Sequence, residues 1–408
     1  MIYLLSARAI TFFLNAITLV ILTNFLAPDV LGGFLFLVGV LLPLSALARL
    51  GSNNLVIKDL ASKHCTVNDC KWAFEHYNFF VFVLSLFICL VLPFLNYSYS
   101  FIEIVSLALG VLFRPFYVLE AIFIGTQRNM SLAHLIVLNA TSTSVVRAAI
   151  CYFSPSLIWY SLLIEAVIIV FGVSLLYRVE FVMYLKSFKF RFSLDKDKLF
   201  LGLPFGGSAI LMLANNRIDQ AMGSSFLTSL EFSNYMLFTN LCGVLGVGVF
   251  TLSQYYTPKI IQQNNDAGIA KLVKQLCLLT FCLAFLVWGI LAVGGSKIVD
   301  AVFPPSYQAV SSWGEYFSLY LVLLVWSQLN GILLLKMGLQ KSLVQRTLSA
   351  IAIGIPFGLY LNAHMGLDGA IVYTLLCLFF NGVLMYLVFP QLRVILTAGC
   401  RYAFCRSL

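Results

Sequence analysis

The stretch RVEFVMYLKSFKFRFSLDKDK, residues 178–198, holds six of the 25 Lys and Arg residues of this 408-residue chain. On both sides of it lie apolar runs of about 20 residues, the length a helix needs to cross a hydrocarbon core about 30 Å thick. Six runs precede it, at 7–26, 34–57, 74–95, 101–124, 131–152 and 157–178. Six follow, at 200–222, 233–256, 272–294, 316–337, 343–362 and 367–389. The basic stretch is therefore the long break in a series of twelve membrane spans. It predicts a six-helix N-terminal lobe at 1–178, a cytosolic linker at 179–199, a six-helix C-terminal lobe at 200–389 and a cytosolic tail at 390–408. Composition agrees: the chain is 61% hydrophobic and 10% charged, where a soluble domain carries about 25% charged residues. No run alternates as a lumen-and-lipid strand does, which excludes a β-barrel. The expected fold is an all-α polytopic membrane protein, two six-helix lobes around a central cavity.

The charges orient it. With an even number of spans both termini share one side, and 19 Lys and Arg fall in the loops and tails of that side. Only Lys297 falls on the other. Basic loops stay in the cytosol, so the termini are expected there. The net charge of +9 is thus a topology signal, and no basic helix with interleaved aromatics points to nucleic acid. The longest external connection is only 295–315, too short for an extramembrane catalytic domain. The chain also lacks the Gly-rich Lys-Ser/Thr loop that cradles nucleotide phosphates. The ten cysteines are scattered, with no pair in one external loop. His64, Cys65 and Cys70 lack a second ligand pair at zinc-like spacing. Neither disulfide, metal nor cofactor is expected.

Short segments repeat between the halves in equivalent places. Phe25-Leu26-Ala27-Pro28-Asp29 after the first span resembles Phe226-Leu227-Thr228-Ser229-Leu230 after the seventh. Gly125-Thr126-Gln127-Arg128 before the fifth resembles Gly338-Leu339-Gln340-Lys341 before the eleventh. Parallel repeats of this kind are typical of transporters with a central cavity.

Five basic residues remain: Arg8, Arg49, Arg114, Arg147 and Arg217, all inside spans. A charged side chain at mid-bilayer costs roughly 2.5–3.5 kcal/mol on insertion scales. Each needs an acid, a wet cavity or an anionic ligand. Polar residues share their faces at spacings of three and four: Thr11, Asn15 and Thr18 with Arg8; Ser45 and either Ser52 or Asn53 with Arg49; Asn139 and either Ser142 or Thr143 with Arg147. Pro115 follows Arg114, and Asn215 and Asn216 precede Arg217. The acids available for internal pairing or ion coupling are Glu120, Glu165 and Asp219, three against five; Glu75 and Glu103 at span ends would narrow the gap, and full internal pairing is the alternative reading. The excess points to an anion, and arginine's planar fork suits phosphate. The second half offers neutral polar groups, among them Gln254, Gln328, Asn330 and Asn381, for which hydrogen bonding between helices is the ordinary role. Aromatics are assigned to lipid, core and interface.

At this point the chain resembles the multidrug/oligosaccharidyl-lipid/polysaccharide exporters, and within them the Wzx-type O-antigen flippases. The residues that carry the likeness are Asn24 through Phe34, Arg114-Pro115-Phe116-Tyr117 leading to Glu120 and Gly125 through Arg128, and Leu203-Pro204-Phe205 through Arg217-Ile218-Asp219. The resemblance implies a non-enzymatic flippase for an undecaprenyl-pyrophosphate-linked oligosaccharide, working by alternating access among membrane lipids and alongside other O-antigen assembly proteins. Its pyrophosphate is expected against Arg49, Arg114 and Arg147, with Arg8 and Arg217 nearer the ends of the path. Two rival readings are a cation-coupled multidrug antiporter of the same superfamily, whose cavity should carry net acid, and a polytopic glycan polymerase or acyltransferase, which needs a reactive cluster.

Overall fold

The computed structural model describes residues 2–49, 52–61, 66–91, 116–187, 218–263, 266–336 and 340–384, with a few further positions at 103–110 and 197–200. Among the described residues there are helices and no strands. Seven of these helices are long and apolar enough to cross a membrane. The chain separates into two compact units, Met1–Ala214 and Asn215–Leu408.

The first unit contains α1 (Ile2–Phe25), α2 (Pro28–Arg49), α3 (Ser52–Ala61), α4 (Lys71–Val91), α5 (Phe116–Gly125), α6 (Asn129–Phe153), α7 (Ser161–Leu176) and α8 (Arg178–Ser187). Pro28 opens α2, where its missing N–H belongs to the unpaired first turn and its fixed φ is already helical. α1 lies along α6, α2 against α4, and α3 against α5. The α3–α5 approach is close because Gly125 has no side chain. A Cβ there would stand 2.9 Å from the Cβ of Leu60 and 3.2 Å from the Cα of Ile57. The core is aromatic and branched: Leu31, Phe34, Phe74, Tyr77 and Phe123 are fully buried, and Phe34 meets Trp159 edge to face at 5.9 Å.

Two expectations change here. The second span, read as 34–57, begins earlier, at Pro28, and its described residues are helical over 28–49 and 52–61. The linker read as 179–199 starts as a helix, α8. Three contacts near its start hold it. The Arg128 guanidinium bonds Glu180, the Tyr177 hydroxyl donates to the Ser131 carbonyl at 2.9 Å, and Tyr177 packs on Phe123 at 4.9 Å.

The second unit contains helical residues 218–226, then α9 (Ser229–Gln262), α10 (Asp266–Val302), α11 (Gly314–Lys336) and α12 (Gln340–Phe379). Thr228 caps α9 in a reciprocal box: its hydroxyl accepts from the Glu231 N–H while the Glu231 carboxylate accepts from the Thr228 N–H. α11 packs against α9, α10 and α12, and Phe238, Trp313 and Phe317 form its aromatic contact with α9. α9 and α10 have 34 and 37 residues, so at about 1.5 Å per residue they outreach the hydrocarbon core. α12 carries both the eleventh and twelfth expected spans. Its 40 residues bend at Gly366, with φ 54° and ψ −128°, a conformation essentially reserved for glycine.

The first pair of repeated segments matches in backbone, while Gly338 and Leu339 of the second pair lie outside the described residues. In the first unit Leu26 N–H bonds the Leu22 carbonyl and Leu31 N–H that of Ala27. In the second, Leu227 bonds Gly223 and Phe232 bonds Thr228. The same pattern recurs 201 positions later. Outward-facing apolar side chains are abundant, Val293 being 90% exposed and Phe285 70%; in a helix this apolar, such a face belongs to lipid.

Replacing Gly366 with Ala forces a side chain into that backbone conformation. We expect a loss of roughly 1–3 kcal/mol, read as a lower thermal midpoint in detergent. An unchanged midpoint would show that the bend needs no glycine.

Candidate functional site

Three polar groups are embedded in the helices. The first gathers four helices of the first unit. Gly125 lets α3 approach α5, and Asn53 on α3 donates its amide to the Tyr117 carbonyl on α5 at 3.0 Å. Arg49, the last residue of α2, lies over the Tyr117 ring, 4.5 Å from its centroid. Stacking engages the face of the guanidinium rather than its N–H edge. Glu120 is three residues beyond Tyr117, on the same face of α5. Arg8 reaches it from α1 with Nη2 3.9 Å from Oε1, and Arg49 also lies within electrostatic reach of it. Arg8 and Glu120 keep 30% and 25% of their side chains exposed, while Arg8 Nε is buried with no hydrogen-bond partner. Among the described charges here, two are guanidinium groups and one is a carboxylate.

The second group is tighter. Arg147 on α6 donates from Nε to Glu165 Oε1 on α7 at 2.8 Å and from Nη2 to Oε2 at 3.5 Å. Thr143, one turn before Arg147, donates to Glu165 Oε2 at 3.2 Å. The guanidinium sits 5.3 Å from the centroid of Phe34 on α2. Glu165 is wholly buried and Arg147 only 13% exposed. One cation meets one carboxylate, with hydrogen bonds between them.

These groups occupy opposite ends of the unit. Arg49 lies fifteen residues beyond Phe34 on α2, or about 22 Å at 1.5 Å per residue. Arg8 is near the start of α1, and it meets Glu120 midway along α5. Arg147 is near the end of α6. The sequence reading put Arg49 beside Arg147 and set Arg8 apart. The fold instead brings Arg8 to Arg49 and leaves Arg147 at the far end, because α2 runs lengthwise between the two groups.

The third group is in the second unit. Asp219 is 5% exposed. The Tyr235 hydroxyl donates to its Oδ2 at 2.6 Å, Thr374 donates to the same oxygen at 3.1 Å, and the Gln220 N–H bonds Oδ1 at 2.7 Å. Asn330 bonds the carbonyls of Asn381 and Gly382, and Asn381 bonds that of Cys377, the structural role expected of them. Asn15, Asn139 and Gln328 are half-buried on α1, α6 and α11. Arg114, Asn216 and Arg217 lie outside the described residues, as does the side chain of Gln254.

Sequence reasoning missed the aromatic partners. Tyr117 is three residues from Glu120, a spacing that was readable. Phe34 carries no such signal, since it reaches Arg147 only through the α2–α6 approach. The Arg128–Glu180 pair was hidden because both residues looked like loop charges.

The sequence profile of the family described as "Polysaccharide biosynthesis protein" matches residues 1–262. No curated protein matches the chain significantly in sequence. Several solved structures share its fold. An outward-facing multidrug resistance MATE family transporter of the MOP superfamily aligns with TM-score 0.66 and 15% identity, over 98% of this chain and 95% of that one. A MOP superfamily transporter from Pyrococcus furiosus, described by the reverse polarity of its binding pocket, aligns with TM-score 0.62 and 13% identity over 98% and 96%. A MATE transporter from Vibrio cholerae aligns with TM-score 0.64 and 13% identity over 95% and 94%. The twelve-span fold expected from the sequence is thus the fold found, and the resemblance to this superfamily holds.

Arg147 and Glu165 should behave as a structural couple. Glu165→Ala leaves Arg147 buried and uncompensated, and we expect a loss of about 3–5 kcal/mol, seen as a lower yield of folded protein and a lower thermal midpoint. The double replacement Arg147→Met with Glu165→Leu should recover most of it. A double variant as unstable as the single one would show that the pair is more than mutual compensation.

Proposed function

The chain belongs to the polysaccharide biosynthesis protein family, and from that premise we propose that it is a flippase for undecaprenyl-pyrophosphate-linked O-antigen oligosaccharide. It carries this lipid from the cytosolic to the periplasmic leaflet of a bacterial inner membrane. Two lobes, 1–178 and 200–389, joined by a cytosolic linker, rock about a central cavity in alternating access. The observation that carries this reading is the cation excess at one end of the first unit, where Arg8 and Arg49 share Glu120. The 19-to-1 distribution of basic residues supports placing that end in the cytosol, where the lipid-linked substrate is assembled. A pyrophosphate needs cations at headgroup depth, and guanidinium groups meet it with parallel hydrogen bonds. Arg114 and Arg217, which the sequence places among the intramembrane arginines, are proposed to serve the same pyrophosphate path.

Arg147, although on the same path, contributes mainly through its pair with Glu165. Asp219 is a candidate for ion coupling, as a buried carboxylate that accepts hydrogen bonds from the hydroxyls of Tyr235 and Thr374. A cationic-drug antiporter fits less well, because a cationic cavity repels its substrate. The Pyrococcus furiosus transporter, for which a reversed pocket polarity suggests a different function, is a precedent for one fold serving opposite charges.

The test is translocation of a lipid-linked oligosaccharide in proteoliposomes, at equal protein per vesicle. Arg49→Ala should lower the rate at least about tenfold, which is about 1.4 kcal/mol of lost interaction. Arg8→Ala should lower it likewise, and Arg49→Lys should retain part, since ammonium keeps the charge but not the fork. Rates unchanged in both alanine variants would sink the pyrophosphate reading. Rates indifferent to collapsed proton and sodium gradients would remove the coupling role of Asp219.

A further inference from the structure

The two arginine–glutamate pairs of the first unit differ in a way that the proposed function does not use. Arg147 and Glu165 are in hydrogen-bond contact at 2.8 Å, and Thr143 adds a third bond to the carboxylate. Arg8 and Glu120 stand 3.9 Å apart at their nearest atoms. Charge-assisted bonds between guanidinium and carboxylate settle near 2.7–2.9 Å, so this pair has drawn together without closing. Arg8 Nε is buried and donates to nothing. Across the group, Asn53 Oδ1 is likewise buried without a partner. The charges have lost much of their water and have not replaced it with full hydrogen bonds, which is the unfavourable half of a buried ion pair.

The surroundings explain why the pair stays open. Glu120 answers to two guanidinium groups from different helices, Arg8 on α1 and Arg49 on α2. Arg49 is anchored by its stack on Tyr117, and the backbone of Tyr117 is in turn held by Asn53. One carboxylate brings a single charge and two oxygens to two cations held on different helices, whereas a diphosphate brings more charge and more oxygens and spans a greater distance.

Resting on the flippase reading above, we infer that Glu120 is a displaceable counterion. With no substrate bound it neutralises Arg8 and Arg49 loosely. An entering pyrophosphate takes its place on both guanidinium groups, and on release Glu120 returns and competes the phosphate off. Glu165, locked to Arg147, has no such role. Glu120 therefore limits affinity and promotes release, and Arg8 and Arg49 form the subsite whose ligand class is a diphosphate ester.

The experiment measures equilibrium binding of inorganic pyrophosphate to the purified full-length protein in detergent, beside translocation in proteoliposomes. Glu120→Gln removes the competitor at nearly constant shape. We expect pyrophosphate to bind about tenfold more tightly than to the unaltered protein, as the loss of one opposing charge at this range implies, while translocation slows because release slows. Glu120→Asp withdraws the carboxylate from Arg8 but keeps its charge. It should bind with intermediate affinity, and it serves in place of the glutamine variant if that one fails to fold. Unchanged or weaker binding in whichever variant folds, with binding still abolished by Arg49→Ala, overturns the counterion role and leaves the pyrophosphate reading standing. Absence of pyrophosphate binding in every form overturns both.

Discussion

A guanidinium group inside an apolar bundle must find oxygen, and that requirement organises the first unit. There is little charge to meet it with: the chain has 16 acidic residues in 408, and few lie within spans. Glu165 is spent on Arg147, fully buried and bonded in three places. Glu120 stands 3.9 Å from Arg8 and is also within electrostatic reach of Arg49. Among the described residues the two groups thus differ: one guanidinium is hydrogen-bonded to its carboxylate, while the other approaches its carboxylate without closing on it.

The helices that carry these groups are set by small steric facts. Gly125 allows α3 and α5 to touch, and that contact brings Asn53 to the Tyr117 backbone and Arg49 over its ring. Pro28 opens α2, so that the helix is long enough to hold Phe34 under Arg147 at one end and Arg49 beside Glu120 at the other. In the second unit, Gly366 bends one long helix into two spans, and a buried carboxylate, Asp219, is held by the hydroxyls of Tyr235 and Thr374.

Much of this was legible in the chain. Span-length apolar runs bounded by Ala27-Pro28-Asp29, Ser154-Pro155-Ser156 and Pro304-Pro305 meet helix ends at Phe25, Phe153 and Val302. The repeat at Phe25 and Phe226 is matched by equal hydrogen bonds. Glu120 and Glu165 were readable as pairing acids because so few acids lie in spans. The start of α2 at Pro28, the helix α8 and the stacking aromatics were not readable. Each depends on a neighbour distant in sequence, and apolar periodicity is nearly silent in a segment where almost every residue is apolar.

The sequence by itself determined that the chain crosses a membrane many times as helices, that its basic residues crowd one side, and that a handful of arginines lie where charge is costly. Those conclusions rest on transfer free energies, which belong to residue types and need no neighbours. Only the tertiary structure decided which arginine meets which acid. Arg8 and Arg49 are 41 positions apart and both answer to Glu120, while Arg147, on the same expected path, is locked to Glu165 at the other end of α2. Pairing is a matter of distances between helices, and those come from packing at Gly125, Phe34 and Tyr117.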